Sequence, residues 1–70
     1  MTFDDFMQEV LTRRQAGLGR DQRTGQFYFN VLWDVKPRLS EQVRGTPVDP
    51  FFDDARLPEF LTYVARNWNA

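Results

Sequence analysis

The chain predicts an all-α fold, a compact single-domain four-helix bundle spanning residues 1–70. Three observations carry that expectation. Apolar residues recur at three- and four-residue intervals near both ends of the chain. Gly17, Pro37, Gly45 and Pro58 stand where helices stop or start. No stretch alternates apolar and polar residues for long enough to make a useful strand. Helices are expected over residues 2–16, 24–35, 37–44 and 57–68.

The first helix opens at Thr2, a good N-cap, with Asp5 three residues on. This is close to a capping box, with Asp in place of the usual Glu or Gln. Phe3, Phe6, Met7, Val10 and Leu11 trace one face. Asp4, Asp5 and Glu9 lie toward its positive end and Arg13 and Arg14 toward its negative end, as the helix dipole prefers. Gly17 suits a left-handed cap. A polar link, Arg20 to Arg23, leads to the second helix.

That second helix is the most unusual element. Phe27, Tyr28, Phe29, Val31, Leu32, Trp33 and Val35 cover about 240° of an ideal wheel, leaving Gln26, Asn30 and Asp34 as a narrow polar strip. A surface helix shows one apolar stripe, so this one belongs at the centre, wrapped by its neighbours or partly by a partner. Pro37 ends it by pushing Lys36 out of helical geometry and starts a short third helix burying Leu39 and Val43. Residues 45–57 hold two prolines and three aspartates and read as an ordered loop, with Phe51 or Phe52 pinning it to the core. Pro58 and Glu59 begin the last helix, whose face is Leu57, Phe60, Leu61, Val64 and Trp68.

Size makes the packing demanding. Seventy residues without cysteine lie near the lower limit for a core with no covalent or metal staple. Eleven aromatics must supply the burial, each worth on the order of 150–250 Å². Without Cys, thiolate zinc sites are excluded and a reducing cytoplasm is the expected compartment. No apolar run exceeds three residues, so no membrane-spanning helix is expected, and Asp4 and Asp5 stand where an export signal carries positive charge. The net charge of −1 is unevenly spread: residues 1–12 carry −3, residues 13–44 carry +4 and residues 45–70 carry −2.

The run Arg23-x-Gly25-Gln26-x-Tyr28-Phe29-Asn30-x-Leu32, then Pro37-x-Leu39, Gly45-Thr46, Asp49-Pro50-Phe51 and Leu57-Pro58-x-Phe60-Leu61, resembles a family of small uncharacterised phage, prophage and bacterial proteins. The resemblance covers roughly residues 23–68. It implies a phage or prophage origin and carries over no catalytic residue.

Catalytic chemistry has few parts here. Ser40 is the single serine, and neither His nor Cys is present to activate it or replace it. A Ser40–Lys36 pair is interrupted by Pro37, and Ser40 reads as an ordinary exposed helix residue. Asp49, Asp53 and Asp54 lack the glycine and ligand rhythm of a calcium loop. They read as turn and cap residues, Asp49 starting a turn and Asp53 or Asp54 capping the approach to the last helix. No cofactor or metal is expected. The expected function is therefore non-catalytic protein–protein interaction, as in a host-directed effector. Arg20, Arg23, Phe29, Trp33 and Trp68 form the candidate contact set, with Tyr63 completing an exposed aromatic patch. The alternative is a nucleic-acid-binding module using Arg13, Arg14, Arg20, Arg23 and Arg38. Self-association is compatible with either.

Overall fold

The computed structural model describes residues 1–69; Ala70 lies outside them. Helix α1 runs Phe3–Gln15, α2 Thr24–Val35, α3 Pro37–Val43 and α4 Leu57–Arg66, with a single 3₁₀ turn at Asp54–Arg56. No strand occurs among the described residues. The all-helical expectation stands.

Helix α1 begins as its sequence implies. The Thr2 hydroxyl accepts the Asp5 N–H at 3.1 Å, and the Asp5 carboxylate accepts the Thr2 N–H at 2.9 Å. Two helix-end donors are thereby satisfied reciprocally. At the other end Gly17, at φ +83°, closes a Schellman motif. Its N–H donates to the Arg14 carbonyl and that of Leu18 to the Arg13 carbonyl, at 2.9 and 3.1 Å.

Helix α2 is central: α1 and α3 both pack on it, and so does the 3₁₀ turn. It buries Phe27, Phe29, Val31 and Leu32. Arg13 ties α1 to α2 by reaching Asp34 at 2.7 Å while holding Glu9 of its own helix at 2.7 Å. The α2 N-terminus has no local side-chain cap, because its N-cap position is Arg23. Asp54, twenty-nine residues away, supplies the missing acceptor: its carboxylate takes the Gly25 N–H at 2.8 Å. Residue 25 must then be glycine. A Cβ there would lie 2.2 Å from the Pro50 carbonyl oxygen, closer than any real contact.

Helix α3 corrects one expectation. Ser40 is fully buried, not exposed, and its hydroxyl donates to the Pro37 carbonyl at 2.7 Å. Leu39, Ser40 and Val43 share the core-facing side of α3 while Arg38, Glu41 and Gln42 are exposed, and a small hydroxyl satisfied within the first turn fits the buried position. Among the described residues no buried side-chain nitrogen or oxygen lacks a partner.

Helix α4 stops at Arg66, two residues before the expected end. The Asn67 side chain and backbone both donate to the Tyr63 carbonyl, at 2.8 and 3.1 Å, and terminate it. The chain then turns Trp68 inward. Its ring stacks on Phe6 at 5.5 Å and meets Phe3 edge-on at 6.0 Å, and its indole N–H donates to the Met1 carbonyl at 2.8 Å. Both ends of the chain are thus fastened to one aromatic cluster. The Cα radius of gyration, 11.1 Å, is that of a tightly packed chain of this length.

Two consequences are measurable. Alanine favours a helix interior over glycine by about 1 kcal/mol, yet Gly25→Ala is expected to lower stability by about 1–3 kcal/mol through overpacking against Pro50. A denaturant titration that shows Gly25→Ala as stable as the parent would contradict the close approach. Asp5 is held below the ordinary carboxylate range, first by the Thr2 backbone N–H and then by the Thr2 hydroxyl. Its contribution is complete above the unfolded Asp value and is lost as pH falls below about 4. The melting-temperature gap between the parent and Asp5→Asn is expected to be present at neutral pH and to close in acid.

Candidate functional site

The loop after α3 is wound around one carboxylate. Asp49 accepts the Gly45 N–H at 2.8 Å and the Phe51 N–H at 2.9 Å, an Asx turn that starts where the sequence expectation put it. Gly45, at φ +74°, permits the reversal out of α3. Arg23 then clamps the far side by donating to the Phe51 carbonyl at 2.7 Å. Held this way, consecutive phenylalanines point in different directions. Phe51 meets the buried Phe29 edge-on at 5.7 Å, whereas Phe52 is 83% exposed. Their rings are 4.8 Å apart.

The result is an aromatic ridge with a cation at each end. Trp33, 38% exposed, continues it on α2 at 6.4 Å from Phe29. The Arg44 guanidinium lies 4.8 Å over the Trp33 ring, and that of Arg23 lies 5.8 Å from Phe52. Phe29, Arg44, Asp49, Phe51 and Phe52 line a cleft of about 160 Å³ in the ridge. That volume suits one inserted side chain better than a metabolite.

Of the five contact residues read from the sequence, the structure brings Arg23 and Trp33 to this ridge. Phe29 supports it from beneath and is 4% exposed. Trp68 is 2% exposed and belongs to the Phe3–Phe6 cluster, so it offers no contact surface. The Lys36 ammonium sits 4.6 Å over its ring and donates to its backbone carbonyl. Tyr63 is half-buried along a separate groove on α4. The expected patch of Phe29, Trp33, Tyr63 and Trp68 is therefore corrected to one centred on Phe52. The physical reason is that Trp68 gains more by stacking on Phe6 and giving its indole N–H to the Met1 carbonyl than by facing solvent. Arg20 lies in the α1–α2 connection with its guanidinium folded against Gly17. Phe52 and Arg44 were the residues missed. The available signal was a pair of adjacent phenylalanines between aspartates in a tight turn, where only one of the two can face inward.

Lys36, Ser40, Asp53, Asp54 and Arg13 are accounted for by bonding within the chain, whereas Arg38 is exposed on α3 with no salt bridge among the described residues. Lys36 is engaged with Trp68 and Ser40 with Pro37, so the two do not form a pair. Asp53 caps the 3₁₀ turn through the Ala55 N–H at 3.0 Å, and Asp54 caps α2 instead of the last helix. Among the described residues no group of three His, Cys, Asp or Glu side chains is arranged to hold a metal ion. Arg13 is not a free phosphate ligand: its guanidinium donates to Glu9 and Asp34, and those hydrogen bonds, Glu9 first, raise its pKa. No described helix is long and apolar enough to cross a membrane.

Comparison of the chain with models of known protein families, with curated proteins and with solved structures finds no match in any of the three.

Proposed function

We propose that the chain is a small, non-catalytic binding protein, a four-helix bundle whose loop between α3 and α4 presents a contact face to a protein partner. The observation that carries this reading is Phe52. A phenylalanine left 83% exposed on a segment fastened by Asp49, Arg23 and Asp54 is a rigid apolar projection. Exposing it costs burial energy that an ordinary core would recover, on the order of 1.5–3 kcal/mol for a side chain of this size. Beside it, Trp33 and two arginines supply the residue types that dominate binding hot spots. The absence of His and Cys supports a non-catalytic role. The resemblance to small phage and prophage proteins supports a host-directed effector acting in the host cytoplasm.

A nucleic-acid-binding module is the second reading, favoured by three arginines without carboxylate partners, Arg14, Arg20 and Arg23, near the α1–α2 connection. It predicts retardation of labelled DNA or RNA that weakens steeply with salt.

Affinity capture from host lysate tests the first reading when run with variants side by side. Phe52→Ala is expected to keep the parent melting temperature within a few degrees and to lose the captured protein, and Trp33→Ala to lose it as well at some cost in stability. Capture unchanged by either substitution would contradict the ridge as the contact face.

A further inference from the structure

We propose that the α1–α2 connection is the seat for an acidic segment of the protein partner, gripped by Arg14, Arg20 and Arg23 and anchored on Phe52. This rests on the binding-protein reading above and names the chemistry of its partner.

The cations of this chain divide into two groups. Arg13, Arg44 and Arg56 each lie within salt-bridge distance of a carboxylate, and Lys36 is spent on Trp68. Arg38 and Arg66 are exposed on α3 and α4 without such a carboxylate, and Arg14, Arg20 and Arg23 are likewise exposed and, among the described residues, have none. The last three are also neighbours. The Arg14 guanidinium lies 4.5 Å above the Phe27 ring. Gly19 presses on that same ring, so closely that a Cβ would come within 2.2 Å of it. Arg20 folds back over Gly17, whose N–H bonds the Arg14 carbonyl. Arg23 precedes Phe27 by one helical turn, which places it on the same side of α2. From there its guanidinium reaches Phe52.

Positive charge therefore runs from the end of α1, across Phe27, to the most exposed aromatic of the chain. These guanidinium groups are positioned by rings and backbone, not by ion pairs. An arriving carboxylate breaks no salt bridge, and part of the ordering cost has already been met in the free protein. Arg23 keeps donors to spare beyond the one given to Phe51, since a guanidinium has five N–H groups. The acids nearby are Asp21 in the connection, Asp53, which lies 3.7 Å from Arg56, and Asp54, whose charge faces the positive end of α2. With Asp53 paired to Arg56, three arginines against Asp21 and Asp54 leave a local positive excess that carboxylates complement.

A nucleic acid fits less well. The chain is net acidic, with −3 on its first twelve residues, so its long-range field opposes an extended polyanion. A short acidic peptide feels the local cations within a Debye length of about 8 Å. Its apolar residues have Phe52 to pack against.

The test is a fluorescence-anisotropy and NMR titration of the full chain with a labelled peptide of alternating glutamate and leucine. Its glutamine counterpart and an oligothymidylate of equal charge serve as controls. The glutamate peptide is expected to bind at least about tenfold tighter than the glutamine one, a difference of about 1.4 kcal/mol. Amide shifts are expected around Arg14, Arg20, Arg23 and Phe52. Arg14→Glu and Arg20→Glu, which leave the Arg23 clamp intact, are expected to erase the preference, and Arg20→Lys to keep most of it. Equal affinity for the two peptides would overturn the charge selection. If Phe52→Ala still abolished partner capture, that result would leave the contact face standing. Tighter binding of the oligothymidylate would overturn the choice of a protein partner. Salt-sensitive dimerisation that maps to these arginines would assign the seat to a second copy and overturn the proposal.

Discussion

The contact between the Asp49–Asp54 segment and the first turn of α2 organises the rest of the molecule. A helix leaves its first four N–H groups without internal partners, and α2 starts on an arginine that cannot cap it. The acceptor arrives from the loop, as Asp54 on the Gly25 N–H. That bond requires the loop backbone to come within touching distance of the helix backbone, and only a residue without Cβ allows it. Once Pro50 is seated on Gly25, Phe51 is delivered to Phe29 and Phe52 has nowhere to go but outward. The exposed aromatic is thus a consequence of how the loop is fastened.

The same constraint explains why one face carries both the apolar projection and the cations. Arg23 sits at the seam, its backbone opening α2 and its guanidinium holding the Phe51 carbonyl. It joins the loop ridge to the arginines of the α1–α2 connection. Charge and apolar area are brought together by residues far apart in sequence. That arrangement is what the proposed contact with a protein partner would use.

Much of the fold was legible because its determinants are local. The Thr2–Asp5 box, the Gly17 cap, the Pro37 break and the extent of α2 all depend on residues within a turn or two of each other. What was illegible depended on distant partners. Trp68 lies at helical spacing from Val64, yet it leaves the helix because Phe6 and the Met1 carbonyl offer burial and an acceptor for its indole N–H. Asp54 looks like a cap for the last helix and serves α2 instead. The choice between Phe51 and Phe52 is made by the loop seat, which nothing adjacent to them encodes. Arg23 and Trp33 were read correctly as surface groups, whereas Phe29 and Trp68 were claimed by a core short of other material.

The central claim is that the loop carboxylate caps α2 at glycine, and amide hydrogen exchange at Gly25 tests it most directly. An N–H in the first turn of a helix exchanges rapidly unless a tertiary partner holds it. The account expects Gly25 to be protected to nearly the same degree as the middle of α2, and to lose that protection in Asp54→Ala while the helix centre keeps its own. Rapid exchange at Gly25 in the parent chain would contradict the seat, and with it the origin of the exposed Phe52.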